Sequence, residues 1–149
     1  MRSHSEADLS PEETRDLSCI AGMMIPASAE FGVPGADDPI IVTDILRSLG
    51  RDRDDVRSAL DIMRTMAEGA LADLDAVRAK RVVETFLAST DPAAAVLGRV
   101  VLQCYYRDDR VLRSVQHEPR PPFPKGNTLE QGDWSLLDAV RGRAKMWRD

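Results

Sequence analysis

Few residues in this chain of 149 could carry chemistry, and their spacing suits it poorly. There are two histidines. His4 lies in a polar opening stretch and His117 opens a proline-rich segment, so neither has a second histidine or cysteine at the short spacing a zinc site needs. A serine hydrolase built on His117 would require a Gly-x-Ser-x-Gly elbow, and the sequence has none. The carboxylate pairs Asp37-Asp38 and Asp108-Asp109 could attract a hard cation, yet neither has the alternating oxygen ligands and closing glutamate of a calcium loop. Asp38 instead precedes Pro39, as a helix cap does. Asp108 and Asp109 alternate with Arg107 and Arg110, as at a salt-bridged helix end. The glycines form neither a phosphate loop nor a dinucleotide fingerprint. An enzyme reading would have to draw on Asp37, Asp38, Tyr105, Tyr106 or His117 without a familiar constellation.

The elements that would position these residues read as helices. Ser10-Pro11-Glu12-Glu13 is a capping box with proline at the first helical position, and Leu17, Ile20, Ala21 and Met24 follow at i, i+3, i+4, i+7. Pro26 ends that helix near Ile25. Residues 26–38, with two prolines and two glycines, read as a loop. Asp38-Pro39 then starts a helix carrying Ile41, Ile45, Leu46 and Leu49, with Gly50 as a left-handed terminator. Val56, Leu60, Met63, Ala67, Ala70 and Leu74 predict one long helix over 54–74. Val82, Val83, Phe86 and Leu87 mark a short one. After Asp91-Pro92, the residues Val96, Leu97, Val100, Val101, Cys104 and Tyr105 predict a broadly buried helix. Nothing useful alternates with period two, so the fold class is all-α, an irregular bundle of about five helices. Cys19 and Cys104 fall on apolar faces, where buried free thiols are expected and a disulfide stays open.

The organisation expected is a disordered start over 1–9, a helical domain over 10–115 and an extended, partner-wrapping tail over 116–149. Four prolines between His117 and Gly126 rule out helix there and stiffen the chain; a short helix is expected at Ser135 to Val140. Both tryptophans, Trp134 and Trp147, sit in this tail with Phe123, and such rings are costly to expose and common at interface hot spots. The rival reading folds the tail back so that these rings patch the bundle itself. Net charge of -5 argues against a nucleic-acid binder, although RGRAKMWR sets four cations beside an indole. With no apolar run of roughly 18 to 20 residues and no signal-like start, direct membrane insertion is not expected and a cytoplasmic location is.

Met24-Ile25-Pro26-Ala27-Ser28 after a first helix, then Val33-Pro34-Gly35-Ala36-Asp37 before an Ile-rich helix, resemble the opening of the gluconate 2-dehydrogenase subunit 3 family. Cys104-Tyr105-Tyr106-Arg107-Asp108 resembles that family's Tyr-Tyr-x-Asp segment. The likeness covers residues 14 to 112. It implies a non-catalytic small subunit of a sugar or glycoside dehydrogenase complex. The large partner, of the glucose-methanol-choline oxidoreductase group, would carry FAD and the reacting residues; no cofactor is expected in this chain. Tyr105, Tyr106, Phe123, Trp134 and Trp147 are then the expected partner contacts. Two features depart from the family: the twin-arginine signal is missing, so the complex is cytoplasmic or is carried to the periplasm by its partner, and the tail from Gln116 lies outside the pattern. The alternative is a free-standing helical adaptor or regulator.

Overall fold

The computed structural model of the chain describes residues 8–120, 126 and 131–144. Its contacts divide it into one unit ending at Pro119 and a second beginning at Arg120. Among the described residues the first unit holds six α-helices: α1 (Pro11–Met24), α2 (Pro39–Ser48), α3 (Arg53–Ala67), α4 (Ala76–Leu87), α5 (Pro92–Tyr105) and α6 (Asp109–Ser114). Among the described residues there is no strand, only an isolated antiparallel bridge between Ser28 and Val33. The all-α reading holds.

Most helices start where a short oxygen-bearing side chain can satisfy the first free N–H groups. Ser10 and Glu13 form the expected box: the Ser10 N–H donates to Glu13 Oε2 at 2.6 Å, and the Glu13 N–H donates to Ser10 Oγ at 3.2 Å. Asp38, Asp75, Asp91 and Asp108 cap α2, α4, α5 and α6 in the same manner. Each such cap stabilises its helix by about 1 kcal/mol. The apolar stripes then meet in one core. α3 and α5 form its central pair, α2 packs on α5, and α4 lies against both α3 and α5. Leu17, Ile20, Ile41, Ile45, Met63, Leu97 and Val101 fill the interior.

The expected helix over 54–74 ends early, at Ala67. Glu68 turns left-handed at φ 59°, and Arg78 donates to the Ala67 carbonyl at 3.3 Å, covering an acceptor the helix leaves open. Leu71 then drops into the core from a separate 3₁₀ turn, Leu71–Asp73. Asp16 fixes this turn. Its buried carboxylate accepts from the Ala72 N–H at 3.0 Å and from Arg64 Nη2 at 3.1 Å, the pairing a buried charge requires.

Four smaller expectations are also corrected. Leu9, assigned to a disordered start, packs into the core. The body closes with α6, and Gln116 at φ 61° ends that helix while the His117 N–H returns to the Leu112 carbonyl, so these two residues finish the bundle and do not begin the tail. Cys19 is only half-buried, whereas Cys104 is buried; both are free thiols. In the second unit a 3₁₀ turn (Trp134–Leu137) and a single helical turn, α7 (Asp138–Arg141), stand where one short helix was expected. Residues 121–125, which hold most of the proline-rich stretch, lie outside the described residues.

The loop between α1 and α2 needs glycine at position 35. A Cβ there would stand 3.0 Å from the Ala27 nitrogen and 3.3 Å from the Ile25 carbonyl oxygen, and would overlap the Asp37 carboxylate. Gly98, in the middle of α5, has no such neighbour. Gly35→Ala is therefore expected to destabilise the fold by about 1–3 kcal/mol, and Gly98→Ala to stabilise it by about 0.5–1 kcal/mol. Urea denaturation followed by circular dichroism checks both signs.

Candidate functional site

Two helix starts that are far apart in sequence share one cation. Asp38 and Asp108 each accept a backbone N–H from their own helix, from Ile40 at 3.0 Å and Arg110 at 2.8 Å. Their remaining acceptor capacity faces Arg110. The guanidinium donates to Asp38 through Nη1 at 3.0 Å and Nη2 at 2.9 Å, and to Asp108 through Nε at 3.0 Å and Nη2 at 2.9 Å. This planar fork joins the starts of α2 and α6. Ionic hydrogen bonds from Arg110 hold both carboxyls below the usual carboxylate range and push the guanidinium's own pKa further up.

A second arginine ties the later part of α2 to the α5–α6 junction. Arg107 donates to Asp44 through Nε at 3.0 Å and Nη2 at 2.6 Å, and to Ser48 Oγ at 2.6 Å. Its pKa rises because of Asp44. Beneath it, burial raises the Cys104 thiol, so this sulfur is a packed side chain and not a ready nucleophile. Between the two arginines lies a groove of about 870 Å³ walled by α2 on one side and by the α5–α6 junction on the other. Ile40 opens onto it at 65% exposure.

The expected partner contacts separate here. Tyr105 is a correction: its ring is 4% exposed in the core, and its hydroxyl donates to the Pro34 carbonyl at 3.2 Å. Burial raises its pKa. The residue holds the α1–α2 loop to α5 and has no surface to offer a partner. Tyr106 projects outward at 54% exposure, its ring edge-on to Tyr105 with centroids 5.3 Å apart. Trp134 is 60% exposed, its indole N–H donating to Gln131 Oε1 at 3.0 Å. Phe123 and Trp147 lie outside the described residues.

Sequence reasoning missed Phe31. It rides a small hairpin closed by paired Ser28 and Val33 hydrogen bonds, with Gly32 at φ 62° making the turn, and is 68% exposed. An aromatic beside glycine in a proline-rich loop was the available signal. Of the carboxylates weighed for a cation, Asp38 and Asp108 are occupied by Arg110, and Asp109 pairs with Arg113 at 3.3 Å. Asp37 packs against Gly22 and Gly35. Among the described residues no three metal-binding side chains gather, and no single helix is long and apolar enough to cross a membrane.

No protein-family model, no curated protein and no solved structure matches the chain.

The clamp's pH response has a definite sign. Both carboxyls have lowered pKa values in the folded protein, so their contribution is present above the unfolded carboxylate pKa of about 3.9 and is lost as pH falls through the lower folded values. Arg110→Met should cost about 1–2 kcal/mol at pH 7, the discount reflecting a side chain 38% exposed. The deficit against the parent protein should shrink as pH drops below about 4. Denaturant titrations of both proteins at pH 7 and pH 3 test this, and an equal deficit at both values would contradict it.

Proposed function

We propose that this chain is a non-catalytic subunit held against a larger flavin-dependent oxidoreductase of the glucose-methanol-choline type. FAD and the reacting groups belong to the partner, which acts on a sugar or glycoside. The chain keeps that partner folded and soluble. One observation supports the reading more than any other. The two segments carrying the family resemblance, Met24–Asp37 and Cys104–Asp108, meet in one corner of the bundle, where Tyr105 reaches Pro34 across 71 positions of sequence. Residues that resemble the family's motifs thus form one structural feature and are not scattered matches.

The outer side of that corner favours protein contact over chemistry. Phe31, Ile40 and Tyr106 are all exposed on its loop and helices. Exposed apolar side chains are what an interface core uses, and aromatic rings among them are the usual hot spots. The second unit adds an exposed run of its own, Trp134, Leu136, Leu137 and Val140. Most titratable groups in the corner are engaged in holding helices, as Arg110, Asp38 and Asp108 do.

Co-expression with an FAD-containing large subunit tests the proposal. The large subunit should be more soluble, more fully flavin-loaded and more active when this chain is present. Trp134→Ala and Tyr106→Ala should each weaken the complex by about 2 kcal/mol, as truncated hot spots do, without changing the chain's own denaturation midpoint. A large subunit equally soluble, loaded and active without this chain would sink the idea. A pull-down recovering another protein and no flavin would favour the free-standing adaptor.

A further inference from the structure

The groove beside α2 has a charge that no described residue answers. Its acidic members are each engaged: Asp44 with Arg107, Asp108 with Arg110, and Asp109 with Arg113. Two of its arginines are engaged in the same pairs. Arg47, on the same lining and exposed, has no ion pair or hydrogen bond with any described residue. The groove therefore offers one uncommitted positive charge together with an exposed apolar side chain, Ile40.

The spacing of these two residues restricts what could lie there. Ile40 and Arg47 are seven residues apart on α2, which places them on one face about 10 Å apart along the axis. A facing helix matches that distance with its own i and i+7 positions. A strand does not, because residues on one of its faces recur about every 6.6 Å, giving about 6.6 or 13 Å. The walls of the groove, clamped by Arg107 at one end and Arg110 at the other, are already fixed, so an occupant would meet a preformed surface.

We infer that the α2 groove docks an amphipathic helix of the partner subunit, which sets an apolar side chain against Ile40 and, two turns along, a carboxylate against Arg47. The inference rests on the subunit reading above and names the surface that reading leaves open. Helix-in-groove recognition of this type takes its affinity from the apolar anchor and its register from the charge pair. Val77, exposed on α4, provides an independent reporter position outside the groove.

The test uses the full chain co-expressed with an FAD-containing large subunit, with the photocrosslinker p-benzoylphenylalanine placed at position 40 or, as control, at position 77. Irradiation should join position 40 to a helical peptide of the large subunit containing Asp or Glu, and position 77 to nothing. Arg47→Glu should weaken the complex about tenfold and reduce its dependence on salt, whereas Arg47→Lys should retain most of the binding. If the complex forms but position 40 yields no adduct, or joins only a second copy of this chain, the groove assignment fails while the subunit reading stands. If no complex forms at all, both fall.

Discussion

The arrangement of the bundle turns on how a carboxylate divides its lone pairs. An aspartate at a helix start needs only part of its acceptor capacity to satisfy the first N–H groups, and the remainder faces outward. Asp38 and Asp108 put that remainder on the same guanidinium, so the two helix starts are fixed relative to each other through Arg110. A planar fork with five donors can do this, and a lysine ammonium at the same place could not reproduce the paired geometry. Local helix initiation and long-range packing are thereby joined in one cluster. The α1–α2 loop, the start of α2 and the α5–α6 junction inherit their positions from it, with Tyr105 adding a further tie to Pro34.

This accounts for the character of the corner. Acidic and basic side chains are dense there and most of them pair to hold backbone in place, while Arg47, Ile40 and Tyr106 stand exposed beside them. Here paired ionic groups hold the helices, and exposed apolar and charged side chains share the surface. Such a division suits a surface that receives another polypeptide.

Much of the fold was legible because it is local. Ser10-Pro11, Asp38-Pro39 and Asp91-Pro92 each announce a helix start within two residues, and the 3.6-residue stripes of α1, α2, α3 and α5 give their buried faces directly. The misreadings arose where tertiary contact decides. Ala70 and Leu74 continue the α3 stripe, so periodicity carried the helix past Ala67. The real stop depends on Arg78 and Asp16, which reach it from other helices. α6 is only six residues long, too short to display a period. The Arg107-Asp108-Asp109-Arg110 run reads correctly as a salt-bridged helix end, but its long-range partner, Asp38, is 72 positions away and no spacing rule points to it. Tyr105 and Tyr106 look equivalent in sequence, yet one is core and the other surface, because adjacent residues at a helix end point about 100° apart.

The corner built around Arg110 is the face we propose to meet a larger flavoprotein. Hydrogen–deuterium exchange of the full chain, alone and with an FAD-containing large subunit, measures this most directly. Added protection on binding is expected to concentrate in the peptides covering 28–47 and 102–110 and to leave α4 unchanged. Protection confined to α4, or none at saturating large subunit, would contradict it.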